Sequence, residues 1–183
     1  MNYMEEKIVD MLKVPRDRIA VLIGKEGKTK NEIERRFTVK LEINSETGEV
    51  NLIRNIENDA LKGIQAREVI KAIAGGIAPQ KAYKLENPQY YTGQVNLAEA
   101  VGDSDKELSR VKSRLIGTEG KVRAYLSKLT DTEIIINNNL VTILGEIEDV
   151  NAAKEAVSKI IEGTPIPNVI KFVEKYKRQK MRR

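Results

Sequence analysis

The sequence predicts an α+β protein built from two successive copies of one β-α-α-β-β-α unit and closed by a C-terminal helix. Two observations carry that prediction. Shifting the chain against itself by 93 positions aligns Val21-Leu22-Ile23-Gly24-Lys25-Glu26-Gly27-Lys28 with Arg114-Leu115-Ile116-Gly117-Thr118-Glu119-Gly120-Lys121, so that both copies read Leu-Ile-Gly-x-x-Gly-Lys. The same shift then sets Ile33 opposite Leu126 at helical spacing, and Leu41 and Ile43 opposite Ile134 and Ile136 at strand spacing.

The elements follow in order. A strand candidate runs from Glu6 to Val14, where Val14-Pro15 stops it, and its counterpart runs from Gln94 to Val101, stopped by Gly102-Asp103. A helix leads into each Gly-x-x-Gly and a second helix begins at the Lys that follows. Hairpins come next: the turn Ser45 to Gly48 leads to the strand Glu49 to Arg54, and the turn Asn137 to Asn139 leads to Leu140 to Gly145. Each hairpin feeds a long amphipathic helix. Asn58 to Ala74 has Leu61, Ile64, Val69, Ile70 and Ile73 as its apolar face, and Asp149 to Ile161 has Val150, Ala153, Val157, Ile160 and Ile161. Asn58 and Asp149 are placed as the N-caps of these helices, being residue types that accept a hydrogen bond from the first turn.

Between the copies, Gly75-Gly76 stops the first long helix, Pro79 opens a short helix through Leu85, and Asn87-Pro88-Gln89-Tyr90-Tyr91 reads as an extended connector. The expected division is therefore 1–90 for the first domain, 91–163 for the second, and 164–183 for a C-terminal helix and basic tail. In that last stretch Gly163-Thr164-Pro165 precedes Ile166, Val169, Ile170 and Val173 at helical spacing, so the helix packs on the body before its basic end leaves the surface.

Composition narrows the chemistry. The chain has 183 residues, enough for two small cores, and 40% apolar with 32% charged residues fits a folded chain rather than a disordered one. It has no Cys and no His, which removes disulfides, thiol nucleophiles, the usual zinc sites and the commonest acid–base side chain. Met1 to Asp10 alternates acids with apolar residues and has no basic start, and no apolar stretch is long enough to span a membrane, so a cytoplasmic location is expected, with no membrane partner. The net charge of +5 sits at the end: Lys171 to Arg183 carries +6. Such a tail is either a solubilising extension or an arm that meets phosphates.

Gly27-Lys28-Thr29 ends like a nucleotide-binding P-loop, but Leu22 occupies the place of that motif's first glycine. The acidic pairs Glu32 with Glu34 and Glu146 with Glu148 read as solvated positions, not a metal site. No catalytic residue, metal or cofactor is assigned, and an enzyme is not expected.

The repeated loops have a clearer use. A turn without side chains at its two glycines lets the main chain approach a sugar–phosphate backbone, while the helix that follows offers free N–H groups and the positive end of its dipole. The candidate RNA-binding residues are Ile23, Gly24, Lys25, Glu26, Gly27, Lys28 and Lys30 in the first copy, and Arg110, Arg114, Ile116, Gly117, Thr118, Glu119, Gly120, Lys121 and Arg123 in the second. Over equivalent windows, Asp17 to Arg35 carries +1 and Arg110 to Lys128 carries +5, which favours the second copy as the stronger attractor of RNA.

This layout resembles the KH module in its type I order. The resemblance implies that single-stranded RNA lies across a groove, held at the Gly-x-x-Gly loop. The Gly24 to Lys30 stretch, the Gly75-Gly76-Ile77-Ala78-Pro79-Gln80-Lys81-Ala82 segment, the second loop and Gly163-Thr164-Pro165 are together similar to the archaeal Dim2 proteins, relatives of the eukaryotic partner-of-Nob protein. The chain departs from that pattern at Ala78, where a serine cap is common, and in its Lys/Arg-rich tail. What the resemblance implies is a ribosome biogenesis factor that binds the 3′ region of small-subunit (16S) rRNA in pre-rRNA processing. Its implied partners are a Nob-type endonuclease and the alpha subunit of translation initiation factor two. Two alternatives stay open on the residues alone: another RNA-binding regulator with paired KH modules, and a KH-fold protein-interaction scaffold whose loops no longer touch RNA.

Overall fold

The computed structural model describes residues 7–182, so Glu6, the first residue of the first strand candidate, lies outside the described residues. The chain divides between Glu86 and Asn87 into two compact units.

In the first unit β1 (Lys7–Lys13), β2 (Lys40–Asn44) and β3 (Glu49–Asn55) form an antiparallel sheet of order β1-β3-β2. The hairpin places Leu41 opposite Leu52 and Ile43 opposite Val50, and the alternation turns Leu41, Val50 and Leu52 toward the helices. There they meet Leu22 of α1 (Arg16–Ile23), Ile33 and Phe37 of α2 (Lys28–Phe37), and Ile70 and Ile73 of α3 (Ala60–Ala74), all at most 2% exposed. A short helix, α4 (Pro79–Ala82), runs into a 3-10 turn (Tyr83–Glu86) that returns to α2. Arg36 fixes it there, donating to Glu86 at 2.9 Å and to Glu32 at 2.5 Å with its guanidinium over the Tyr83 ring.

The second unit repeats the plan with β4 (Tyr90–Asn96), β5 (Glu133–Asn137) and β6 (Leu140–Glu146) in the order β4-β6-β5. Its helices are α5 (Leu97–Val101), α6 (Asp105–Ile116), α7 (Lys121–Thr130), α8 (Ile147–Ile161) and α9 (Ile166–Lys180). One core joins them: Leu115, Leu126, Ile134, Val141, Ile143, Val150, Val157 and Ile160, with Val169 and Val173 of α9.

Several sequence expectations are corrected. The strand expected at Gln94 to Val101 ends at Asn96, whose side chain accepts from the Ala98 N–H at 3.0 Å and starts α5, so the strand lies earlier and takes in the Tyr90-Tyr91 of the supposed connector. Asp59, not Asn58, caps α3, accepting from the Leu61 N–H at 2.9 Å, while Asn58 donates to the Thr38 carbonyl. Leu61 and Ile64, placed on the apolar face of α3, are 50% and 60% exposed, because Gly63, Ala66 and Ala72 let that helix pack closely on its other side. Asp149 is not a cap either. It sits inside α8, 2% exposed, and accepts from the Tyr176 hydroxyl at 2.7 Å and the Lys180 ammonium at 2.6 Å.

That last arrangement explains the basic tail. Lys180 also faces Glu146 at 3.5 Å, and Lys177 donates to the Lys128 carbonyl at 3.2 Å, closing the C-terminal end of α7. The expected departure of the basic end from the surface is therefore corrected: the helix holds to the body through Lys180 because the buried carboxylate requires a cation.

The repeat also reaches further than its strands. Gly76, with φ 104°, donates to the Ile73 carbonyl at 3.1 Å while Ile77 donates to Ala72 at 3.0 Å. Gly163, with φ 96°, and Thr164 make the same pair of bonds to Ile160 and Lys159. These are matching Schellman stops. Pro79 and Ile166 then begin corresponding helices, of which the second is much the longer.

Asp149→Ala should destabilise the second unit by about 2–3 kcal/mol, measured by chemical denaturation, because the Tyr176 hydroxyl and Lys180 lose their shared acceptor. Burial first, and then the hydrogen bond to Asp149, hold the Tyr176 hydroxyl well above its ordinary value; the bond to Asp149 likewise raises Lys180. Folding thus favours the protonated form of both groups. Their contribution is complete below the ordinary tyrosine and lysine values of about 10 and is lost as pH rises through the raised ones, so thermal stability should fall on the alkaline side and Asp149→Ala should flatten that fall.

Candidate nucleic-acid interface

Each Gly-x-x-Gly forms a single 3-10 turn between two helices. In the first, Gly24 has φ 75° and ψ 170°, Glu26 has φ 53°, and Gly27 has φ 75° and ψ 10°. In the second, Gly117 has φ 71° and ψ 175°, Glu119 has φ 53°, and Gly120 has φ 74° and ψ 13°. The outgoing hydrogen bonds match as well: Gly24 donates to Ala20 and Gly27 to Gly24, as Gly117 donates to Ser113 and Gly120 to Gly117. The duplicated sequence thus produces one backbone conformation twice.

The glycines of each loop do different work. A Cβ on Gly24 would lie 2.7 Å from the Thr29 nitrogen, and one on Gly117 would lie 2.9 Å from the Val122 nitrogen, so the first glycine is demanded by the turn itself. A Cβ on Gly27 or Gly120 would meet nothing closer than 3.7 Å or 3.9 Å. The second glycine keeps the outer surface of the turn low and is itself the N-cap of the next helix, whose first N–H groups donate to no capping side chain. Glu26 and Glu119 pay the ordinary strain of a left-handed non-glycine residue, about 1–2 kcal/mol, in both copies.

The candidate residues divide into those that face solvent and those already engaged. Lys25, Glu26 and Lys28 are exposed around the first loop, with Ile23 half-buried beneath it, and among the described residues Lys25 and Lys28 are in no ion pair. Lys30 lies one turn into α2, 3.9 Å from Glu34. Around the second loop Ile116, Thr118 and Glu119 are exposed, and Lys121 pairs with Glu119 at 3.1 Å in full solvent contact. Arg110 is further away on α6, held by Glu107. Arg114 donates to the carbonyls of Ile160 and Thr164, both at 2.6 Å, and Arg123 donates to the Ile134 carbonyl at 3.0 Å. The hydrogen-bonding capacity of two of the second copy's arginines is therefore partly engaged inside the fold, although their charge remains.

One such use was invisible to the repeat alignment. In the first unit Arg18 donates to the carbonyls of Ile73 and Ile77, closing the end of α3 as Arg114 closes the end of α8. The two arginines do not align at the 93-residue shift; they sit at different turns of α1 and α6, so their common purpose emerges only when the helices pack.

Two sheets of this order, each backed by helices that clasp a Gly-x-x-Gly turn, define a protein of paired type I KH domains. Comparisons agree domain by domain. The KH domain model matches residues 9–71, and a eukaryotic-type KH domain of type I, the second domain of the PNO1 type, matches residues 93–178. The KH domain-containing protein MJ0443 of Methanocaldococcus jannaschii is 38% identical over 183 residues, all of this chain and 79% of that one. RNA-binding protein pno1 of Dictyostelium discoideum is 23% identical over 88% of this chain and 68% of its own length. Among solved structures, Dim2p of Pyrococcus horikoshii OT3 matches with a TM-score of 0.84 at 36% identity, covering 92% of this chain and 99% of that one. A second structure, of an a/eIF2alpha-aDim2p-rRNA complex from the same organism, gives 0.87 at 35% identity, covering 97% of each chain. The chain belongs to the archaeal Dim2 and partner-of-Nob family of tandem KH-domain proteins.

Gly117→Ala should cost the second unit about 2–4 kcal/mol in urea unfolding, since the methyl group would collide with the Val122 side chain and backbone at a positive φ. Gly120→Ala meets no such collision and should cost about 1 kcal/mol, the left-handed strain alone.

Proposed function

We propose that this chain binds single-stranded RNA at the 3′ region of small-subunit rRNA, through both Gly-x-x-Gly loops, as a factor in ribosome biogenesis and pre-rRNA processing. The observation that carries the reading is the twofold occurrence of one low, left-handed turn with its following helix N-terminus open to solvent, a surface suited to phosphate. Supporting it, the pyrococcal relative is described in a complex with rRNA and a/eIF2alpha. Lys25, Lys28 and Lys121 supply charge at the loops; half-buried Ile23 and exposed Ile116 supply apolar surface beside them. Arg114 acts indirectly, by closing the end of α8 behind the second loop, and Arg110 adds positive charge on α6, where it pairs with Glu107. The partners that fit are the alpha subunit of translation initiation factor two and a Nob-type endonuclease, which performs the cleavage while this chain holds the RNA in the cytoplasm.

The test is fluorescence anisotropy with a labelled oligonucleotide from the 3′ end of 16S rRNA at one fixed salt concentration. Lys25→Asp with Glu26→Asp, and separately Thr118→Asp with Glu119→Asp, should each weaken binding about tenfold or more, and the four changes together should abolish it. Undiminished binding by the fourfold variant would mean that RNA is held elsewhere, and that the loops are helix connectors in a scaffold.

A further inference from the structure

The basic residues at the end of the chain fall into two groups. Lys177 and Lys180 face the body, Lys177 standing 3.5 Å from Asp131 and Lys180 2.6 Å from Asp149. Lys171, Lys175 and Arg178 of α9, with Arg182 in the turn that follows, are exposed and are in no ion pair among the described residues. Their spacing puts them within about 60° of arc, opposite the buried Val169 and Val173. At the helical rise they stand about 4.5–6 Å apart along a row of about 16 Å. Like charges three and four residues apart repel one another, so the row destabilises its helix until an anion covers it. The one acid of α9, Glu174, lies to the side and accepts from the Tyr125 hydroxyl at 3.1 Å.

The row continues a surface that begins at the second loop. Tyr125 meets Glu174, and three residues further on the Lys128 carbonyl meets Lys177, so α7 and α9 lie side by side and run in the same direction. The Lys171 end of the row therefore points toward the Gly117 to Gly120 turn. Lys121 and Lys128, two turns apart on α7, are exposed along the way. On the other flank Glu148 and Glu155 of α8 share a groove with Lys175 and bound the positive surface there.

From Lys171 to Arg182 the exposed face has no aromatic side chain and only Met181 as an apolar one. Sequence-independent binding of a single strand relies on aromatic stacking, and a protein interface is built around an apolar centre, so neither fits this face. Four evenly set cations fit a polyphosphate whose charges already stand in order, as in double-helical RNA, which proteins grip chiefly by shape and phosphate. We propose that the solvent face of α9 is a second nucleic-acid site, which holds the backbone of a double-helical RNA segment without reading its sequence. This rests on the RNA-binding reading above and extends it: the second loop takes a single strand while α9 grips a duplex beside it.

A blunt RNA duplex of arbitrary sequence, labelled for anisotropy, isolates this site, because the loops take single strands. Lys171→Gln with Lys175→Gln, Arg178→Gln and Arg182→Gln removes the row from the full chain. Glutamine is a good helix former and the four side chains fasten nothing in the fold, so this variant folds. Its duplex affinity should fall about tenfold or more, and the slope of log affinity against log salt should become shallower by about 3 to 4. Its binding of the single-stranded 16S oligonucleotide should stay within about threefold, and the fourfold loop variant should keep its duplex binding to the same margin. Removing equal charge elsewhere, with Lys7→Gln, Lys13→Gln, Lys62→Gln and Lys106→Gln, should also leave duplex binding within about threefold. An equal loss in that control would reduce the effect to net charge and overturn the proposal. So would duplex binding that survives removal of the row or follows the loop changes instead. Binding of poly-glutamate but not of the duplex would overturn it as well and give the face to an acidic protein. A chain that takes the single strand and no duplex refutes the α9 site alone; one that takes the duplex and no single strand refutes the reading of the loops.

Discussion

The tight reversal between the first two helices of each unit is the constraint from which most else follows. At Gly24 and Gly117 the incoming helix ends so close to the outgoing one that even a methyl group would strike the backbone of Thr29 or Val122. Because the helices approach so closely, Leu22 and Ile33 in one unit, and Leu115 and Leu126 in the other, can be buried side by side over the sheet. The same approach leaves the free end of the second helix at the surface. A packing requirement and a phosphate-binding surface are thus two sides of one turn.

Around that turn the two units reach similar ends by different residues. Each closes the end of its long helix with an arginine from its first helix, yet Arg18 and Arg114 come from different turns. Each protects its sheet edge from the second helix, yet one uses Glu34 and the other Arg123. The segments that complete the cores differ most: Arg36 with Glu86 and Tyr83 holds a short return in the first unit, whereas the second has a long helix anchored through Lys180 to a buried aspartate. Duplicated modules keep a common backbone and vary the polar contacts that fasten it, since a free carbonyl can be satisfied by any donor that reaches it.

The parts of the fold legible in the sequence were those governed by local rules. Glycine pairs at fixed offsets, strand alternation and Gly-Pro punctuation are properties of short segments, so both hairpins, both loops and the helix stops were open to reading. Helix ends and helix faces were less so. Asn58 and Asp149 are good capping residues by type, but Asp59 took one cap and a lysine many residues away drew the other into the core. Leu61 and Ile64 fit an amphipathic pattern that the packing of Gly63 and Ala66 rotated out of the interior.

By itself the sequence determined that the chain repeats one α+β unit, that each unit carries a glycine turn followed by a basic helix start, and that neither cysteine nor histidine chemistry is available. These depend on residue type and spacing along the chain, which folding does not alter. Tertiary structure alone decided which basic side chains still have hydrogen bonds to offer. Arg114 and Arg123 count as positive in any tally, but carbonyls brought to them from distant elements claim their hydrogen bonds, while Lys25 and Lys28 are met by no acid among the described residues. Charge is additive along a sequence; hydrogen-bonding capacity is consumed in space, by whichever partner the packing delivers.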